Sequence, residues 1–365
     1  MATAKNVSFS ASNAMLTMPE CIDMIQHTGM NISWLIQGDM GSGKTSILKE
    51  LVKRTGMPGV YFDCTTKDLG DLFLPDIYRE NGAAQCVSFV PNEEFGIHLN
   101  RPFILMLDEM GKNRSIQNGL LRVLQERSVG SRALPEGSIV FGTTNLGGEN
   151  VGDMLAPHAR NRIGVVRMRK PDADLWKAWA ADNDIDHTVY AFAHEFPMIF
   201  ASFTEVDKPD ENQYIYDPRD AGRTAFVTGR SLHKLSDLAK KRHLVGDNVL
   251  RQGAVGLIGA KAANDYFTLV SLDDTLETYE EVALHPMKAK VPDTAAGQIM
   301  MCLKCMSRVD EKEFRNVFEY IKRLPMEMQA LFANQLIKSP SKAPWVARQS
   351  TFTQFAQANY GLFAQ

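Results

Sequence analysis

The sequence contains no run of about 18 apolar residues, so a membrane-spanning helix is not among its organising features. Its opening stretch, MATAKNVSFSASNAM, lacks the basic and apolar regions of a secretory signal. A cytoplasmic protein with no membrane partner is therefore expected. Cysteine is sparse. Cys21, Cys64, Cys86, Cys302 and Cys305 are an odd number scattered over 365 residues, which argues against a disulfide framework. Cys302 and Cys305 form a C-x-x-C inside IMMCLKCM, but no second Cys or His pair lies at zinc spacing and no βαβ redox context surrounds them. A buried helical face is favoured over metal or redox chemistry. Excess charge is lacking too: 40 Lys and Arg against 43 Asp and Glu leave a net charge of −3, which makes no case for nucleic-acid binding by counter-charge alone. No N-K-x-D base-reading motif is found, which disfavours GTP, and no internal repeat or low-complexity tract is evident.

What is present is an ordinary globular composition, 44% apolar and 23% charged, in a chain long enough for one to three domains. Five short segments read as strands: SWLIQG (33–38), VYFDC (60–64), the apolar run of RPFILMLDEM, SIVFGTTN (138–145) and IGVVRM (163–168). Between them lie helical patterns. KTSILKELVKRTG repeats Ile47, Leu48, Leu51 and Val52 at helical spacing before Gly56, and IQNGLLRVLQER places Ile116, Leu120, Leu121 and Leu124 on one face. Alternation of this kind predicts a parallel sheet covered on both sides.

Near Lys170–Pro171 the pattern turns helical, with DADLWKAWAADN, SLHKLSDLAKKRH, NVLRQGAVGLIGAKAANDYF and EKEFRNVFEYIKRL; Pro325 starts a further helix. TEVDKPDENQYIYDPRDAG is polar and reads as a loop. From 301 to 365 the Lys and Arg residues outnumber the Asp and Glu residues nine to five, a mildly basic section.

GDMGSGKT (38–45) fits G-x-x-x-x-G-K-[ST], directly after a strand and before a helix, as a phosphate-binding loop requires. Gly38, Gly41 and Gly43 let backbone N–H groups turn inward around a phosphate, with Asp39, Met40, Ser42 and Ser46 completing the loop and its helix start. Lys44 is placed for the β- and γ-phosphates and the Thr45 hydroxyl for Mg²⁺. Asp108 and Glu109 end the strand FILML. Asp108 suits Mg²⁺ and Glu109 suits orienting and deprotonating water, although two acids at a strand end also commonly cap the next helix. SIVFGTTN ends in polar residues, of which Asn145 suits the γ-phosphate or the water; Asn is also frequent in turns.

These pieces, in this order, resemble the AAA+ ATPases and, more narrowly, their MoxR-like branch. The resemblance is carried by GDMGSGKT, FILMLDEMGKNRSIQNGLLRVLQERSV, SIVFGTTN, APHARNRIGVVRMRKPD and VTGRSLHKLS, across roughly residues 33 to 240. It implies a P-loop αβα core with a five-stranded parallel sheet (1–170), an all-α lid (171–275) and an extra C-terminal helical region (276–365). It implies the strand 138–145 between the two nucleotide-binding strands, an insertion in the second helix, for which 77–94 is the candidate, and a short hairpin at SVGSRALPEGS. By the same resemblance Lys44 and Thr45 hold phosphate and Mg²⁺, Asp108 holds Mg²⁺, Glu109 polarises water, and Asn145 is a sensor. Arg162 matches an arginine that reaches a neighbouring subunit's ATP, and Arg160 is a second contact with no fixed counterpart. Arg230 matches a second sensor arginine in the lid, although Gly229 precedes it where the family usually has a different residue.

The resemblance implies an ATP-driven motor in a hexameric homo-oligomer that remodels or activates a partner protein, one with a von Willebrand factor A domain. A nucleic-acid motor or loader is the alternative, supported by KKRH (240–243) and the basic C-terminal section, which a solvated helix face explains as well. A third reading is an ATP-gated scaffold with slow turnover.

Overall fold

The computed structural model describes residues 15–111, 114–145, 163–359 and 361. Among them the chain divides at Lys170/Pro171 into two compact units, each described here by itself.

The first unit is built on β1 (Trp34–Gly38), β2 (Gly59–Asp63), β5 (Ile104–Asp108), β8 (Ile139–Asn145) and β9 (Gly164–Met168), joined as one parallel sheet in the order β2-β5-β8-β1-β9. The five expected strands are all present, and β8 lies between β5 and β1. Alternation along each strand sends successive side chains to opposite faces. On one face Ile36, Ile104, Met106, Ile139, Phe141 and Met168 pack with α1 (Met18–Thr28) and α2 (Lys44–Thr55). On the other, Leu35, Phe62, Leu105, Leu107 and Val140 pack with α3 (Arg114–Glu126). All five residues of β5 are buried, as a central strand covered on both sides requires.

The connection between β2 and β5 differs from expectation. In place of a second helix with an insertion there are short 3₁₀ turns flanking an antiparallel ribbon, β3 (Phe73–Glu80) and β4 (Ala83–Pro91). β-Branched and aromatic residues run through the segment, and Asn81-Gly82, both at positive φ, supplies the reversal. The short hairpin is found as β6 (Ser128–Val129) and β7 (Arg132–Ala133). It joins the ribbon through Ser131, whose N–H donates to the Phe89 carbonyl at 3.0 Å and whose hydroxyl accepts from Phe89 N–H at 2.9 Å.

The second unit is helical. One apolar core runs from Trp176 to Phe352. At its centre the helix Ala295–Arg308 packs against His187–Glu195, Ala260–Asp273 and Met326–Lys338. Cys302 and Cys305 lie on this helix, fully buried. Burial pushes the Cys305 thiol up to about 12, so both cysteines act as apolar filler. The helical pattern at 248–267 is divided into Asp247–Ile258 and Ala260–Asp273 by Gly259, whose φ of 86° and ψ of 158° fall in a region essentially reserved for glycine. Segment 204–222 is a loop with 3₁₀ turns, tied down by Arg219 and Arg223, which donate to backbone carbonyls from Val206 to Ile215.

Candidate functional site: the ends of three parallel strands

Parallel register brings the carboxyl ends of the central strands to one level. Gly38 is the partner of Asn145 on one side and of Met168 on the other, and Asp63 pairs with Asp108. Period-two alternation then places Asp108, Thr143 and Asn145 on the face covered by α2, whose first turn holds Lys44 and Thr45. Ligands gather at such strand ends in open α/β sheets.

The loop between β1 and α2 has the geometry its composition predicts. Gly41 and Gly43 have φ of 74° and 93°, and a Cβ on Gly38 would meet Ser42 Oγ at 2.9 Å. Gly43 is the N-cap of α2 and offers no side-chain cap, so no side chain closes the positive end of the helix, although the Ser46 N–H is bonded to Gly43 O at 2.8 Å. Ser42 Oγ is buried with no hydrogen-bond partner among the described residues. A glycine cradle, a helix start with no side-chain cap and a waiting hydroxyl fit a polyphosphate.

Lys44 is 6% exposed and its Nζ donates to Gly38 O at 2.9 Å, Asp39 O at 3.0 Å and Asn145 Oδ1 at 2.8 Å. The amide of the same Asn145 donates to both carboxylate oxygens of Glu109, each at 2.8 Å. Glu109 is a non-glycine residue at φ 57°, held there by N–H bonds from Glu109 to Thr143 Oγ1 (3.3 Å) and from Met110 to Thr143 O (3.0 Å). A left-handed side-chain-bearing residue costs about 1–2 kcal/mol, and such strain gathers at functional sites.

Asp108 is 7% exposed. Its Oδ1 accepts from the Thr143 hydroxyl, and its Oδ2 accepts from Tyr61 OH at 2.9 Å with Thr45 Oγ1 at 3.5 Å. Burial, then the hydrogen bond and charge of Asp108, push the Tyr61 phenol well above its ordinary value, so it remains a donor. An acid oriented beside a hydroxyl at a helix start suits a hard divalent cation with its water shell.

The structure thus brings together Gly38 to Ser46, Asp108, Glu109 and Asn145. Arg160 and Arg162 lie outside the described residues. Arg230 belongs to the second unit, exposed in the first turn of Gly229–Ala239, which is capped by a reciprocal Thr228–Ser231 pair. Two residues of the site, Tyr61 and Thr143, escape the sequence reading of roles. Thr143 stands in the polar strand end already noticed; Tyr61 carries no signal beyond being a strand residue near the edge of the sheet.

No protein-family model matches the chain, and no curated protein matches it. Among solved structures it is similar to NtrX from Brucella abortus in complex with ADP, with 15% identity over 95% of this chain and 68% of that one, at a TM-score of 0.37. No described helix is long and apolar enough to cross a membrane.

Proposed function

We propose that this protein binds ATP with Mg²⁺ and hydrolyses it as an AAA+ motor. The observation that carries the reading is the hydrogen-bonded chain Lys44–Asn145–Glu109 at the mouth of a glycine cradle, beside the Thr45–Asp108 pair. In this reading Gly38 to Ser46 wrap the β-phosphate and Lys44 offsets charge on the β- and γ-oxygens. Thr45 and Asp108 hold the cation, whose chemistry when bound is charge neutralisation at the transferring phosphate. Glu109 accepts a proton from the attacking water while Asn145 orients the carboxylate and the γ-phosphate. Glu109→Gln tests the assignment. Nucleotide binding should persist while turnover falls by about 10²–10⁴, the range for loss of a general base; unchanged turnover would overturn it.

The finer proposal follows the MoxR-like resemblance. The chain works as a hexameric ring, with residues 171–275 as lid and 276–365 as an added helical section, and acts on a protein partner with a von Willebrand factor A domain. Arg162, with Arg160 beside it, serves a neighbour's nucleotide, and Arg230 serves as lid sensor. Mixing Arg162→Ala with Glu109→Gln subunits tests the trans role, because some interfaces of the mixed ring then pair an intact Glu109 with an intact Arg162. Recovery of turnover supports it; a mixed, assembled ring without activity overturns it. Capture of partners on the Glu109→Gln protein in ATP separates a protein client from nucleic acid.

A further inference from the structure

Tyr61 lies on β2, and the parallel register pairs it with Met106, two residues before Asp108 on the neighbouring strand. Even spacing puts Tyr61, Met106 and Asp108 on the same face of the sheet. From there the phenol reaches across to Asp108 Oδ2 at 2.9 Å. On the opposite side the Thr143 hydroxyl, from β8, donates to Oδ1. Asp108 therefore stands between two strands, each of which supplies one hydroxyl to one of its oxygens. Turning the carboxylate breaks both bonds. Tyr61 itself is 44% exposed, so its ring contributes little core packing, whereas the carboxylate it holds is buried. Thr45 Oγ1, 3.5 Å from the same Oδ2, marks that oxygen as the one facing the loop.

We propose that Tyr61 is a positioning residue for the divalent cation: acting through Asp108, it fixes the carboxylate in the orientation that a magnesium–nucleotide complex needs. The inference rests on the nucleotide reading above. Each carboxylate oxygen has two lone pairs: Tyr61 takes one on Oδ2, and the other, which the Thr45 hydroxyl faces at 3.5 Å, becomes open to a metal-bound water once that hydroxyl turns to the cation. Loss of such an outer partner typically costs about 10–100-fold in metal affinity.

The test uses the full chain and a fluorescent ATP analogue, titrated with Mg²⁺ and separately in EDTA. Tyr61→Phe keeps the ring and removes the hydroxyl. The half-saturating Mg²⁺ concentration should rise about tenfold or more, with nucleotide affinity in EDTA and the melting temperature unchanged. Mn²⁺ binding followed by electron paramagnetic resonance should weaken alike. Introduced into Asp108→Ala, the same change should have no further effect, because the phenol acts through that carboxylate. A Tyr61→Phe protein with unaltered Mg²⁺ dependence overturns the inference, as does an equal loss in EDTA or an additive loss on Asp108→Ala. If the unaltered protein binds nucleotide and only Tyr61→Phe is silent, the nucleotide reading stands without this inference. If the unaltered protein binds no nucleotide under either condition, both fall.

Discussion

Asn145 holds Glu109 by both carboxylate oxygens, each at 2.8 Å from the same amide nitrogen, while its own carbonyl accepts from Lys44. One side chain thereby couples the proposed phosphate-binding cation to the proposed base. Asn145→Ala should retain nucleotide binding and lose turnover by about 10²–10³, the scale for one oriented donor at a reacting centre. A steady-state phosphate-release assay beside a binding titration checks the split; a parallel loss of both would give Asn145 a role in binding alone.

Lys44 is the most heavily used cation at the site. Lys44→Ala should abolish measurable nucleotide binding. It should also cost the protein without nucleotide about 1–3 kcal/mol, because Gly38 O and Asp39 O lose a buried donor. Denaturant unfolding in the absence of nucleotide separates the second effect from the first.

In the second unit, Asp273 lies 2.9 Å from His187 Nε2 and 2.8 Å from Lys304 Nζ. Burial alone would raise its carboxyl, but the His187 hydrogen bond and the charges of His187 and Lys304 outweigh it and hold the group at about 2. A depressed carboxyl contributes stability that is complete above its unfolded value, near 4, and is lost as pH falls toward 2. On the order of 2 kcal/mol should disappear across that window. Asp273→Asn should destabilise the protein at neutral pH by about 3–5 kcal/mol, since Lys304 is left buried without its counter-charge. The same variant should flatten the acid limb of a melting-temperature profile; an unchanged limb would assign the acid sensitivity elsewhere.

Gly259 separates two helices at a φ of 86°, and a Cβ there would approach Ala225 O to 2.8 Å. Gly259→Ala should cost at least about 1 kcal/mol, measured as a lower denaturant midpoint with unchanged slope. A neutral result would mean the junction relaxes.

The sheet was legible because each strand carries its own signal. FILML is apolar throughout and ends in two acids, and SIVFGTTN changes from apolar to polar at the level where the sheet meets the site. GDMGSGKT needed only its flanking strand and helix. What could not be read depends on residues distant in sequence. The Lys44–Asn145–Glu109 chain spans 101 positions between its first two members, and Tyr61 acquires its place only through the register of β2 on β5. The resemblance implies an insertion in a helix at 77–94, where the ribbon 73–91 stands; Ile77, Tyr78, Val87, Phe89 and Val90 favour strands on their own account. The break at Gly259 leaves no mark in the periodicity, because apolar spacing continues on both sides of it.

The core shared across the second unit constrains how that half of the chain can be cut. The helix Ala295–Arg308 contributes Met300, Met301, Cys302, Leu303, Cys305 and Met306 to the centre of that core. A fragment ending near residue 275 would have a hollow where this helix belongs, with the apolar sides of His187–Glu195 and Ala260–Asp273 open to water. Deleting the C-terminal section to isolate its contribution would therefore yield an aggregating remnant. Its role is better approached by exchanging exposed side chains on an otherwise intact unit.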